Sequence, residues 1–207
     1  NWLENEIDRW RKNGEDTDCS RNKKYDIAMV EHNAEQSEIV YQCLKKLREW
    51  IEFPSKKTEN PDITFKPLFM TVQGAGGTGK STVIHIITNL IADIVPNAKV
   101  SMVTAPTGSA AFNVGGKTCH SYFKIDIKDP NKELSETKKQ DLQNNMSRLL
   151  CLIFDERSLL SMDVLGASER HCRDCVHRGT GCSKQWGGVP IVILFGDDHQ
   201  LPSVQIG

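Results

Sequence analysis

Residues 74–81 read GAGGTGKS, with four glycines ahead of one lysine and one serine. They lie between an apolar run, LFMTVQ, and a second one, TVIHIITNLIADIV. Gly74, Gly79, Lys80 and Ser81 fill the fixed positions of G-x-x-x-x-G-K-[ST], the spacing of a loop that cradles phosphates. Such a loop must turn its backbone N–H groups inward at phosphate oxygens, through turn geometries that side chains would obstruct. Ala75, Gly76, Gly77 and Thr78 complete the cradle, and Thr82 follows in the first helical turn. The helix that starts near Lys80 adds the positive end of its dipole. In this chemistry Lys80 reaches the β- and γ-phosphates and the Ser81 hydroxyl ligates Mg²⁺. A glycine-rich turn without a ligand is the plainer reading. The full match in strand–loop–helix context favours a nucleotide, ATP, over it.

A nucleotide site needs a carboxylate element. LLCLIFDERS supplies Asp155 and Glu156 at the end of an apolar run. In an open α/β sheet that end is where ligands bind. Asp155 can hold Mg²⁺ through its water shell, and Glu156 can polarise the attacking water. On its own, an apolar run ending in DE is as often a strand meeting solvent. A third element, GDDHQLPSV, follows the run VPIVILF. Gln200 is its candidate for reporting the γ-phosphate, with Asp197 as a neighbour. The residues alone also allow a plain loop built on Gly196, Asp197 and Pro202.

These motifs need elements to position them. Apolar spacing predicts a helix over residues 27–53, with Ile39, Val40, Cys43, Leu44, Leu47 and Ile51 on one stripe and Pro54 as its stop. PSKKTENPD then reads as a polar loop. Strands are predicted at LFMTVQ, KVSMVTAP, LLCLIF and VPIVILF. Helices are predicted over residues 80–94, in SAAFNVGG, and in ELSETKKQDLQNNMSRLL. Strands this apolar are buried on both faces, which predicts a mostly parallel sheet with helices on each side. Residues 1–27 form a polar segment in which Trp2, Leu3, Ile7 and Trp10 could share a helical stripe, and residues 28–207 form the domain.

The chain has 207 residues, 38% hydrophobic and 26% charged, enough for one sizeable core. With 26 basic and 27 acidic residues the net charge is -1, so no basic coat exists and any nucleic acid must be held by a local patch. The seven cysteines are scattered, with no secretory signal before them, which fits a reducing, intracellular compartment. The apolar runs are too short to span a bilayer, so no membrane partner is expected. The chain starts at Asn1 and stops at Gly207 within what reads as mid-domain sequence, as a piece cut at both ends would.

In their order, GAGGTGKS, TAPTGSAAFNVGGKTCHSYF, FDERSLLS and GDDHQLPSV resemble the PIF family of DNA helicases, superfamily-one motors similar to RecD. The match covers roughly residues 30–207. The resemblance implies a P-loop NTPase of RecA-like fold, an αβα sandwich in three layers. It implies ATP hydrolysis coupled to 5′–3′ movement on single-stranded DNA, in DNA repair, recombination or telomere maintenance, in nucleus or mitochondrion. HNAEQSEIV resembles the family's adenine-reading segment and places Gln36 on the adenine edge. Thr107, Gly108 and Ser109 would bind the backbone of single-stranded DNA. His120 and Phe123 would lie near the strand, where stacking on a base is physically reasonable. Gln200 becomes the γ-phosphate sensor. Without the resemblance, SAAFNVGG reads as a small-residue helix packed on the sheet.

The family's motor has two RecA-like lobes with ATP between them, and the second brings an arginine to the γ-phosphate. This chain resembles the first lobe alone, which is expected to bind nucleotide weakly and not to unwind DNA by itself. Arg157 departs from the family, where a small or aliphatic residue is expected. It reads as a solvated arginine or as a partner of Glu156. RHCRDCVHRGTGC, inside a Cys/His-containing insertion at residues 166–188, brings His171, Cys172, Cys175, His177 and Cys182 together in sequence. Zinc at Cys172, Cys175 and Cys182, a thiol pair, and plain structural use are all compatible with it. The spacing matches no standard finger and favours structural use. Two other functions compete with the motor: a different P-loop ATPase, and a truncated nucleotide-binding remnant that does no work.

Overall fold

The computed structural model describes residues 25–95, 100–175 and 184–198. The N-terminal stripe, Pro96, His177, Cys182, Gln200 and Pro202 fall outside the described residues. A short 3-10 helix, Ile27–Met29, leads to helix α1, Ala34–Glu59. Strand β1, Leu68–Gln73, and helix α2, Lys80–Ile94, flank the glycine loop. Strand β2, Ser101–Ala105, and short helix α3, Gly108–Asn113, follow, then strand β3, Lys117–Thr118, and short helix α4, Cys119–Phe123. Helix α5, Glu136–Met146, precedes strand β4, Cys151–Phe154. A 3-10 turn, Arg157–Leu159, helix α6, Met162–Cys175, and a 3-10 helix, Gln185–Gly188, lead to strand β5, Ile191–Gly196.

Among the described residues the strands form one sheet in the order β1-β5-β4-β2-β3, every pair parallel. Side chains alternate across it. Cys151, Ile153, Ile191, Ile193 and Phe195 face a core filled by α1 and α2 through Val40, Leu47, Ile84 and Ile87. Leu152, Phe154 and Val192 face a second core filled by α4, α5 and α6 through Phe123, Leu142, Met146 and Cys172. Two cores on opposite faces of one parallel sheet make the expected three-layer αβα sandwich.

Phe154 shows how this packing carries the site. It is fully buried, stacks on Phe123 with centroids 5.8 Å apart, and meets Trp186 at 5.3 Å. The next residue is Asp155. Phe154→Ala is expected to cost about 3–5 kcal/mol of stability through lost burial and a residual cavity. Urea unfolding of the full-length protein measures it, and a loss below ~1 kcal/mol would contradict this packing.

The structure departs from the sequence expectations in four places. Pro54 does not stop α1, which runs on to Glu59 with Asn60 N–H closing on the Lys56 carbonyl at 2.9 Å. The proline has no N–H to give to the preceding turn. Beyond it the Thr58 hydroxyl donates to the Pro54 carbonyl at 3.0 Å, and Trp50 and Phe53 pack on Phe65 at 4.9 and 5.6 Å. These contacts hold the helix together past a residue that breaks isolated helices. Strand β1 lies at the sheet edge and half-buries only alternate residues, with Phe69 43% exposed, so it is not covered on both faces. A fifth strand, β3, is two residues long, too short and polar to be seen as a run.

The fourth departure concerns residues 166–175, the first part of the stretch read as an insertion. Residues 166–175 are the continuation of α6, the crossover that parallel β4 and β5 require. Its buried face carries Val164, Ala167, Ser168, His171, Cys172 and Cys175. Burial pushes the Cys175 thiol up to about 11 and Cys172 well above its ordinary value, the behaviour of packed thiols rather than reactive ones. The His171 ring bonds through Nδ1 to the Phe123 carbonyl at 2.8 Å. No group of three or more His, Cys, Asp or Glu side chains suited to a metal ion occurs among the described residues.

Candidate functional site

Because every strand runs the same way, the chain leaves each of them at one edge of the sheet. The glycine loop follows β1, Asp155 and Glu156 follow β4, and Asp197 and Asp198 follow β5. These three strands are adjacent. Thr107, Gly108 and Ser109 follow β2, and His120 follows β3, the neighbouring pair on the other side. Strand order therefore gathers the nucleotide candidates on one half of the edge and the DNA candidates on the other.

The glycine loop is bent as a phosphate cradle must be. Gly77 and Gly79 take left-handed backbone angles, φ 79° and 86°. Gly79 is also crowded: a Cβ there would sit 2.7 Å from Gln36 Nε2. Two of its neighbours are tied inward. Thr78 Oγ1 donates to the Ala75 carbonyl at 2.8 Å, and the Lys80 ammonium donates to the Gly74 and Ala75 carbonyls at 2.6 and 3.0 Å. Lys80 thus lies across its own loop. Gly76 is exposed within it, and Ser81 and Thr82 follow Lys80 in the first turn of α2, where a helix leaves N–H groups without intrahelical partners.

Gln36 holds that loop from outside. Its Nε2 donates to the Thr78 carbonyl at 2.7 Å, across 42 residues of sequence. The capping of α1 by Asn33 fixes the turn from which Gln36 reaches. A cavity of about 300 Å³ lies here, lined in part by Gln36, Ile39, Gly74, Thr78 and Lys80. Spacing alone gives no sign of this amide-to-loop bond. Its one signal is a glutamine in the first turn of a helix preceding the loop.

The acidic pair divides by environment. Asp155 is 5% exposed, and burial pushes its carboxyl above the ordinary carboxylate range. The Glu156 amide, bonded to its Oδ1 at 3.0 Å, and the charge of Lys80 pull the other way. A buried carboxylate that feels the charge of Lys80 is a site that a cation would relieve, and Ser81 lies in the first turn of α2. These residues fit Mg²⁺. Glu156 stands in left-handed backbone, φ 52° and ψ 46°, an uncommon conformation for a residue with a Cβ. Its Oε2 is buried without a hydrogen-bond partner. Backbone strain and an orphaned carboxylate oxygen together make Glu156 a candidate site residue.

Two expectations are corrected here. Arg157 is neither solvated nor paired with Glu156. It is half-buried and forms an ion pair with Asp198, on the loop after β5. Phe123 cannot offer a face to a base: it is fully buried between Tyr122 and Phe154. Within KTCHSYF, Cys119–Phe123 forms α4, whose Cys119, Tyr122 and Phe123 point into the core, which leaves His120 half-buried and Ser121 exposed. Thr107, Gly108 and Ser109 are exposed, and Thr107 Oγ1 caps α3 by accepting from Ala110 N–H at 3.2 Å. SAAFNVGG is the expected short helix, with Ala111 buried on the sheet and Phe112 85% exposed.

Residues 55–206 match the profile described as PIF1-like helicase. The chain belongs to that family. The motif order implies the same family. Over 175 residues it is 31% identical to the ATP-dependent DNA helicase PIF7 of Trypanosoma brucei brucei, covering 79% of this chain and 16% of that protein. The crystal structure of Pif1 helicase from Candida albicans superposes with a TM-score of 0.59 at 25% identity, covering 83% of this chain and 34% of that one. Bacteroides sp Pif1 in complex with ADP-AlF4 gives 0.54 at 28%, covering 84% and 34%. The chain thus spans less than a fifth of the trypanosome relative and about a third of the two structures. Its sheet and flanking helices are the RecA-like P-loop fold of these Pif1 helicases.

Proposed function

We propose that this PIF1-like chain is the first lobe of an ATP-dependent DNA helicase that moves 5′ to 3′ on single-stranded DNA in genome maintenance, including repair, recombination and telomere upkeep, in nucleus or mitochondrion. The observation that carries the reading is the shared edge of β1, β5 and β4. It sets a left-handed glycine loop and its lysine beside a strained acidic pair. The relatives' names support it, since one is an ATP-dependent DNA helicase and another was crystallised with ADP-AlF4.

In this reading the loop amides and the N-terminus of α2 take the β- and γ-phosphates, and Lys80 exchanges its two carbonyls for phosphate oxygens. Gln36, already against the loop, meets the adenine edge. Ser81 and Asp155 would hold Mg²⁺, whose charge would neutralise the phosphate oxygens. Glu156 orients and deprotonates the attacking water, and Gln200 reads the γ-phosphate. Thr107, Gly108 and Ser109 hold the DNA backbone, with His120 beside it. A second RecA-like lobe supplies the remaining charge at the γ-phosphate and the other half of the DNA track. No described helix is long and apolar enough to cross a membrane.

The test is ATP hydrolysis by the full-length protein, measured with and without single-stranded DNA. Hydrolysis that rises severalfold with DNA is the expected result. Nucleotide binding without hydrolysis under either condition would overturn the motor and leave a binding remnant.

A further inference from the structure

The geometry points to Arg157 and Asp198 as a pair of positioning residues that lock the water-activating Glu156 to the loop carrying the γ-phosphate sensor. This inference rests on the helicase reading above.

Strands β4 and β5 run side by side, with Phe154 opposite Leu194, so the segments that leave them are neighbours. Glu156 turns the chain sharply in left-handed backbone and starts the 3-10 turn Arg157–Leu159. Leu159 N–H bonds to the Glu156 carbonyl and Leu160 N–H to the Arg157 carbonyl, each at 3.0 Å. This turn is pressed against the end of β5. A Cβ at Gly196 would lie 3.1 Å from Arg157 Cβ and 3.3 Å from Ser158 N. A glycine there lets the two loops approach, and the Arg157–Asp198 ion pair closes across the contact.

The consequence falls on Glu156. A left-handed residue with a side chain persists only where its surroundings over-determine it. Here one side is fixed by the Asp155 carboxylate, which accepts from the Glu156 amide, and the other by the turn that Arg157 anchors. Asp198 also sits two residues before Gln200 in sequence. One ion pair therefore ties the turn that carries the carboxylate to the end of the segment described beyond β5. Neither residue need touch ATP to change the rate, because a small misplacement of a catalytic group is costly.

The test uses the full-length protein with Asp198→Asn, Arg157→Gln and the exchanged pair Arg157→Asp/Asp198→Arg. DNA-stimulated ATP hydrolysis gives kcat and KM, and hydrogen exchange follows the amides of Leu159 and Leu160. Each single variant is expected to lower kcat by about three- to fivefold, the scale a partly exposed ion pair can set, with KM for ATP unchanged. The same variants should speed exchange at both amides, and the exchanged pair should recover kcat and protection. Single variants with wild-type kcat and exchange would overturn the inference, as would an exchanged pair no better than the singles. If the unaltered protein hydrolyses no ATP, the helicase reading falls. The exchange comparison still decides whether the pair holds the turn: wild-type protection in the single variants would then overturn it.

Discussion

Lys80→Ala in the full-length protein is expected to weaken ATP binding about 100-fold, from the ~3 kcal/mol lost with one or two charge-assisted bonds to phosphate. The loop has backbone amides in plenty but one ammonium. That ammonium is already held across the loop by the Gly74 and Ala75 carbonyls, so little conformational freedom is lost when phosphate takes their place. The fold should tolerate the change. Lys80 is the first residue of α2, alanine is the best helix former, and the packed face of that helix begins at Val83. Isothermal calorimetry with a non-hydrolysable ATP analogue measures the affinity, and thermal unfolding checks the fold. An unchanged affinity would mean that the phosphates bind elsewhere.

Glu156→Gln should act on the other half of the cycle. The amide keeps the shape and loses the base, so turnover is expected to fall by about 10²–10⁴ while ATP affinity holds within about twofold. The side chain stands in backbone with φ 52°, and glutamine meets the same backbone demand as glutamate. Its buried Oε2, without a partner in the described structure, is the atom that would take the proton from water. Single-turnover hydrolysis in saturating DNA isolates the step. Turnover close to normal would assign the base to another group, and lost binding would assign Glu156 to nucleotide affinity instead.

The sequence made most of this edge legible because the motifs are local. The glycine loop, the helix over Lys80–Ile94 and the acidic pair are each set by a few adjacent residues, and each forms where its spacing predicts. What escaped depends on distant contacts. Pro54 reads as a stop because the aromatic packing of Trp50 and Phe53 on Phe65 is not visible in a helical stripe. Phe123 reads as a base-stacking residue because its motif says nothing about Phe154, which takes its face. Arg157 has its partner 41 residues away, beyond an entire crossover helix. Gln36 reads as an adenine contact by resemblance, and its bond to Thr78 follows only from where α1 docks.

The strand order has a consequence for how chemical energy reaches a polymer. Strand β4 is the shared neighbour: β5 flanks it on the side of the phosphate loop, and β2 on the side of Thr107. Its four residues are wholly buried, and the Thr104 hydroxyl ties β2 to it by donating to the Ile153 carbonyl at 3.2 Å. From β1 to β2 is three ladder steps, ~14 Å at the usual spacing of strands. Over so short and stiff a path a displacement at one end is passed on rather than absorbed. In the proposed motor this sheet would carry both halves of the edge together, and the give of a stepping cycle would fall to the loops beyond the strands.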